Sequence, residues 1–190
     1  MAQPDGKRTA LLLMDLQQGI VENYSDPGFL TRIQRALAAA RRTKLPVIWV
    51  KVCFRNGYPE VSDRNQSFSA IRKTGRFTED DPKSAIHPDL DVKDGDVVVT
   101  KRRIGAFSGS DLEVVLRAAN IETLVLAGIA TSGVVLSTVR LAADLDYRLI
   151  VLKDGCTDQD PEVHRVLVEK VFPRQTSVQT IDEWIASLSG

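Results

Sequence analysis

The stretch TALLLMD, residues 9–15, is a run of apolar side chains that ends in a carboxylate. A short continuous apolar run is typical of a strand covered on both faces, as the inner strands of a parallel sheet are. We therefore predict a buried strand here, with Asp15 at its carboxyl end.

Similar runs continue along the chain and alternate with segments whose apolar residues recur at helical spacing. The runs that predict further strands are 46–54, 96–101, 123–128, 147–154 and 176–180. The segments that predict helices are 28–43, 108–119, 132–145, 161–171 and 181–188, the second of them capped by Ser108 or Ser110. Strands that alternate with helices predict an α/β fold, with a parallel sheet between two layers of helices.

The composition is that of one globular domain. The 190 residues are interpreted as a single domain, 1–190, because domains commonly contain about 100–200 residues. Hydrophobic residues make up 43% of the chain and charged residues 26%, and 25 basic residues balance 25 acidic ones. A neutral chain offers no electrostatic attraction for nucleic acid or an anionic membrane, so a small-molecule partner is expected.

Cysteine and histidine are scarce, with two of each. Cys53 and Cys156 are too few for the disulfide framework of a secreted protein. His87 and His164 are far apart in sequence, which argues against a histidine metal site or a Ser-His-Asp triad. We therefore predict no metal and no cofactor, and we assign acid–base chemistry to Asp, Glu or Lys. The N-terminus has a charged start and an apolar run, 10–14, too short for a signal peptide or a membrane span, so a cytoplasmic location is expected.

The carboxyl ends of the predicted strands are the candidate positions for a ligand site, because ligands of parallel α/β sheets bind there. Asp15 ends the first strand and Lys101 ends a later one. In a partly dry pocket each would keep the other charged, and either could exchange a proton with a substrate. The alternative is that Asp15 is a turn residue and Lys101 a solvated strand end.

Two connecting segments are also candidates. Residues 128–133, GIATSG, join a strand to a helix, whose first N–H groups can bind an anion or a developing oxyanion. This segment has neither the dinucleotide fingerprint nor the phosphate-loop pattern. Residues 55–95 are rich in Gly, Pro, Asp, Asn and Ser, and they predict a long insertion with at most short helices. The insertion either forms the pocket rim or is a solvated connection.

Substrate contacts are expected near this insertion. Arg55 can hold a carboxylate with two parallel hydrogen bonds, and Tyr58 and Phe107 can form apolar walls. The alternative for Arg55 is a surface ion pair with Glu60 or Asp63.

Three segments resemble the isochorismatase-like hydrolases, and they occur in that family's order. They are MDLQ (14–17), VVTKRRIGAFSGSDL (98–112) and VLAGIATSGVVLST (125–138). The family, also called the cysteine hydrolases, includes nicotinamidases, carbamoylsarcosine amidases and isochorismatases. The resemblance covers nearly the whole chain, and it implies a Rossmann-like three-layer αβα sandwich with a six-stranded, mainly parallel sheet. It also implies a homodimer or a larger homo-oligomer.

The resemblance further implies a catalytic triad of Asp, Lys and Cys. The Asp corresponds to Asp15 as the acid–base residue, and the Lys corresponds to Lys101. The position of the nucleophilic Cys holds Val134 instead, and a valine forms no covalent adduct. The D-x-H…H cluster that would indicate the zinc site of nicotinamidases is absent after the second strand.

The turn before Val134 is the remaining part of the site that the resemblance implies. A cis peptide is expected between Ile129 and Ala130. The N–H groups near Ala130 and Val134 are expected to form an oxyanion or carboxylate site, with Ile129, Ala130 and Gly133 as substrate contacts.

Three functional hypotheses follow. In the first, the protein is a hydrolase of a small metabolite that uses Asp15 and Lys101 without a cysteine, as isochorismatases do when they protonate a vinyl ether. In the second, it is an amidase of the nicotinamidase type whose nucleophile has moved to Cys156 or Cys53. In the third, it is a catalytically inactive member of the family that binds a small ligand.

Overall fold

A six-stranded sheet forms the centre of the molecule. The computed structural model describes residues 8–188. The strands are β1 (Thr9–Met14), β2 (Val47–Val52), β3 (Val97–Lys101), β4 (Thr123–Ile129), β5 (Arg148–Thr157) and β6 (Ser177–Gln179). Their order is β3-β2-β1-β4-β5-β6, and every neighbouring pair is parallel. This confirms the predicted α/β fold.

Within the described residues, six α-helices lie between strands and a seventh follows the last strand. They are α1 (Gln18–Val21), α2 (Phe29–Arg42), α3 (Gln66–Thr74), α4 (Leu112–Ala118), α5 (Leu136–Asp144), α6 (Pro161–Val166) and α7 (Ile181–Ser187). No helix within residues 8–188 has the length and apolar character needed to cross a membrane. The charged start of the chain, on which the predicted location partly rests, falls largely in residues 1–7 and lies outside the described residues.

The two faces of β1 belong to separate cores. Leu11 and Leu13 pack with α2 and α7, whereas Leu12 and Met14 pack with α4 and α5 on the opposite side. All four side chains are buried, and consecutive strand residues point to opposite faces of a sheet. The continuous apolar run therefore places β1 in the middle layer of three.

Some predicted boundaries are wrong, for local physical reasons. The helix expected over 132–145 begins as a π-helical turn, Thr131–Val135, in which the N–H of Val135 donates to the carbonyl of Ala130 at 3.3 Å. The segment 161–171 likewise changes from α6 to a π-helical turn, Leu167–Val171. The helix expected over 108–119 begins at Leu112, whose N–H donates to Ser110 Oγ at 3.2 Å. Apolar spacing does not distinguish these geometries, because all of them bury the same face.

The strand order reverses between β1 and β4, the place where sheets of this kind form a ligand crevice. The two strands lie close together there. A Cβ on Gly128 would lie 2.2 Å from the carbonyl oxygen of Met14, so only glycine fits at this position. The crevice lies beyond the carboxyl ends of both strands, where Asp15 and the turn after Ile129 are found.

Candidate active site

Asp15 and Lys101 form a buried ion pair at the carboxyl ends of β1 and β3. Lys101 Nζ lies 2.9 Å from Asp15 Oδ2, and their side chains are 3% and 9% exposed. Lys101 Nζ also donates to the carbonyl of Arg103 at 2.9 Å. The structure therefore brings together the two residues predicted from the strand ends, and Lys101 is not the solvated strand end considered as an alternative.

The second oxygen of Asp15 has no hydrogen-bond partner. Oδ1 is buried and unpaired. The N–H of Val52 donates to Gln17 Oε1 at 2.8 Å and also acts on Asp15, whose pKa it lowers. Gln17 is itself fully buried and donates to the carbonyls of Val52 and Ser84, so it fixes the end of β1 against β2 and the insertion. Burial raises the pKa of Asp15 above its ordinary value, although the Lys101 ammonium opposes the shift. A carboxyl group of this kind retains a proton more readily than an exposed aspartate.

The predicted turn lies beside this pair. The Ile129–Ala130 peptide is cis, as the resemblance implies. Ile129, Ala130, Gly133 and Val134 line the same cavity as Asp15 and Lys101. Val134 is buried, so an isopropyl group lies in the cavity wall where the family resemblance places a thiol. The use of the turn's N–H groups as an oxyanion site stays a prediction.

The cavity has a volume of about 670 Å³ and is lined largely by apolar side chains. The insertion contributes Phe68, Ile71 and Phe77 to its walls, together with Arg76. The remaining lining residues are Gly19, Ile20, Asn23, Tyr24, Val52, Ser67, Ile104 and Gln159. Part of the insertion is therefore a cavity wall rather than a solvated connection, because α3 and the segment after it pack against the sheet end.

Three predicted substrate contacts do not line this cavity. Arg55 is 58% exposed and pairs with Glu60 at 2.5 Å, the surface alternative considered from the sequence. The hydroxyl of Tyr58 donates to the carbonyl of Arg76 at 2.7 Å, and its ring packs against Phe54, with ring centroids 5.6 Å apart. Phe107 is buried in the core against Tyr147, with ring centroids 6.0 Å apart. The structure places these three residues in an ion pair and in two packing clusters, outside the lining of the cavity that contains Asp15 and Lys101.

Two features of the site were missed from the sequence. One is Arg76, which no periodicity in the insertion marks. The other is a contact between Thr131, at the start of the π-helical turn, and His164 on α6, with Thr131 Oγ1 2.8 Å from Nδ1. Burial lowers the pKa of His164, although Asp158 opposes the shift. From the sequence, His164 argues only against a metal site and a Ser-His-Asp triad, and its separation of 33 residues from Thr131 gives no signal of this contact.

Neither cysteine has the environment of an activated nucleophile. Burial raises the pKa of Cys156 to about 12, and burial also raises the pKa of Cys53. A reactive thiol needs a lowered pKa and access to substrate, and neither residue lines the cavity. In residues 8–188, no three His, Cys, Asp or Glu side chains converge as metal ligands.

Comparisons with known proteins give a consistent result. The family model described as the isochorismatase domain matches residues 9–183. The isochorismatase family protein YwoC of Bacillus subtilis is 33% identical over 181 residues, which cover 95% of this chain and 94% of YwoC. The ureidoacrylate amidohydrolase RutB of Stutzerimonas stutzeri is 29% identical over 206 residues, which cover 95% of this chain and 79% of RutB. The solved structure of an isochorismatase family protein from Burkholderia thailandensis is 33% identical, with a TM-score of 0.83 and 97% of each chain covered.

Proposed function

The chain belongs to the isochorismatase family of hydrolases, and from this premise we propose that it hydrolyses a small metabolite by acid–base chemistry without a cysteine nucleophile. The observation that carries the proposal is the Asp15–Lys101 pair. Asp15 is buried, its pKa is raised, and one of its oxygens is unpaired in a cavity whose neighbouring wall is Val134.

In the proposed reaction the resting pair is ionised, and the protonated form of Asp15 is the reactive one. It transfers its proton to the substrate, either to the leaving group or to an unsaturated carbon. A water molecule then attacks the electron-poor carbon that results. The proton released by that water returns to Asp15, so the enzyme is regenerated and the net change is the addition of water across the cleaved bond. Lys101 stays charged throughout and stabilises the aspartate after it has given up its proton.

The bond cleaved is a further part of the proposal. RutB is an amidohydrolase by name, which favours an amide or ureido bond attacked by water. The resemblance to isochorismatases favours a vinyl ether. Both reactions begin with proton transfer from the same side chain, so the role of Asp15 does not depend on the choice. A homo-oligomeric assembly and a cytoplasmic location also stay predictions.

The test is a screen of small amides, ureido acids and vinyl ethers, followed by variants assayed on the best substrate. Asp15→Asn is expected to lower kcat by about 10²–10⁴-fold, the contribution of general acid–base catalysis. The control, Asp89→Asn, changes an exposed carboxylate outside the cavity and is expected to keep full activity.

A second set of experiments tests whether a cysteine thiol acts as the nucleophile. Activity is expected to survive iodoacetamide and the Cys156→Ser and Cys53→Ser substitutions. Loss of activity on alkylation that either serine variant prevents would support the displaced nucleophile instead. Full activity of Asp15→Asn would exclude the proposed acid, and tight binding of one metabolite with no turnover across the panel would favour an inactive binding protein.

A further inference from the structure

Arg76 is the one charged side chain of the cavity wall, within the described residues, that has no opposite charge beside it. The charges of Asp15 and Lys101 neutralise each other at 2.9 Å. Arg76 lies within 4.0 Å of no described carboxylate, whereas Arg72, on the preceding turn of the chain, pairs with Asp63. Arg76 contributes to the lowered pKa of Glu22, but the carboxylate of Glu22 is already paired with Lys83 at 2.7 Å.

The backbone around Arg76 directs its side chain into the cavity wall. Helix α3 ends at Gly75, which adopts a left-handed conformation with φ 69°, and Phe77 follows with φ 61°. Because Gly75 and Phe77 are both left-handed and only Arg76 lies between them, the chain turns sharply at this point. The side chain of Phe77 is buried. Arg76 is therefore held between a helix end and a packed aromatic side chain.

The guanidinium group is also fixed, and most of its donors remain available. Nη2 donates to the carbonyl of Gly19 at 2.6 Å, and Cζ lies 5.0 Å from the centre of the Phe77 ring. A Cβ on Gly19 would lie 2.9 Å from the Cβ of Lys83 and 3.1 Å from Nη2 of Arg76, so a glycine at this position leaves room for both side chains. A guanidinium group has five N–H donors, and the side chain of Arg76 uses one of them in this contact.

We propose that Arg76 binds a carboxylate of the substrate, and that the enzyme therefore selects small carboxylic acids with an apolar body over their neutral analogues; this rests on the proposed function of the cavity. The planar fork of a guanidinium group matches a carboxylate with two parallel hydrogen bonds. The apolar walls formed by Phe68, Ile71 and Phe77 suit a hydrocarbon body. Lys101 does not compete for this role, because its ammonium group is occupied by Asp15 and the carbonyl of Arg103.

Binding of simple acids tests the proposal without requiring turnover. The probes are benzoate, cyclohexanecarboxylate and 2-furoate, each compared with its primary amide by titration calorimetry on the wild-type chain. The acid of each pair is expected to bind about tenfold or more tightly, the strength of a hydrogen bond to a charged group in a partly dry site. Inorganic phosphate is the control for a general anion site and is expected to bind more weakly than the acids.

Variants then assign the preference to one residue. Arg76→Gln is expected to remove the preference for the acid, and Arg76→Lys to retain part of it. Arg55→Gln is the matched control, because Arg55 is exposed and lies outside the cavity.

The proposal is overturned if acids and amides bind equally, if no acid of the panel binds, or if the preference survives Arg76→Gln. Survival of the preference would assign the anion to Lys101 or to the N–H groups of the turn. The carboxylic acids contain no bond that the proposed reaction cleaves, so their binding is measured independently of turnover. A wild-type preference for the acids that Arg76→Gln removes, together with full activity of Asp15→Asn, would refute the proposed function and leave the role of Arg76 intact.

Discussion

Removal of the Lys101 charge is the perturbation for which the structure predicts the clearest result. Lys101 Nζ and Asp15 Oδ2 are 2.9 Å apart, and at an effective dielectric constant of about 20 this separation gives an attraction of about 6 kcal/mol. Both side chains are almost completely buried, so the cost of removing two charges from water is of similar size. The net contribution of the intact pair to folding is therefore small.

Each single substitution leaves one buried charge without its partner. Lys101→Met leaves the carboxyl group of Asp15, and Asp15→Asn leaves the ammonium group of Lys101. Each is expected to lower the free energy of unfolding by about 3–5 kcal/mol at neutral pH. The double variant leaves no charge behind and is expected to lose only about 1 kcal/mol, so the two changes are strongly non-additive.

Urea denaturation of the four proteins measures this coupling, with Lys153→Met as a matched control. Lys153 is an exposed lysine on β5, and its replacement is expected to change the free energy of unfolding by less than about 0.5 kcal/mol. A double variant that loses the full sum of the two single effects would show that the residues act independently, and the argument from the buried pair would be wrong. All three variants at the pair are expected to lose activity, because each removes the proton donor or its charged partner.

Three further results are expected. kcat should fall as pH rises through the raised pKa of Asp15, because the proton-donating form is lost; a pH–rate profile that rises over that range would identify a base. Gly128→Ala should lower the free energy of unfolding by about 3 kcal/mol, since the new Cβ would lie 2.2 Å from a carbonyl oxygen of β1. The control is Gly57→Ala, where φ is also positive but the new Cβ would meet no neighbouring atom, and it should lower the free energy of unfolding by only about 1 kcal/mol. Equal losses of unfolding free energy in the two glycine variants would contradict the steric explanation. Thr131→Val should lower the free energy of unfolding by about 1–3 kcal/mol, because His164 loses its hydrogen-bond partner. It should also lower kcat more than it raises KM. An unchanged free energy of unfolding and unchanged kinetics would show that the Thr131–His164 pair has no role.

The fold was predictable because burial and periodicity specify it directly. The run 9–15 is apolar at every position from 10 to 14, and only a strand with helices on both faces buries all of them. Asp15 and Lys101 were predictable for a related reason, since both end strands of one parallel sheet. The π-helical turn at Thr131 was not predictable, because Gly133 and Val135 share the carbonyl of Ala130 and apolar spacing does not report how a carbonyl is shared.

The substrate contacts were harder to predict because they lie in the insertion, where no regular period fixes which side chains face inward. Arg55 directly follows β2 and was the natural choice from the sequence, but Glu60 lies five residues later and pairs with it. Arg76 enters the cavity wall because Gly75 ends a helix and Phe77 is buried. Such a position depends on the packing of one loop, and a single sequence contains no separate signal for it.

Val134, at the position where the resemblance places the nucleophilic Cys, agrees with the chemistry proposed for Asp15. A nucleophilic mechanism needs a thiolate near the aspartate, and a second negative charge there would require a strong compensating field. Val134 places a buried hydrocarbon group in that wall instead, and desolvation is the largest cause of the raised pKa of Asp15. The same apolar surroundings therefore favour the protonated form of Asp15 that the proposed mechanism uses. Lys101 limits the rise in the pKa of Asp15, so the Asp15 carboxyl group can both hold a proton and give it up to a substrate.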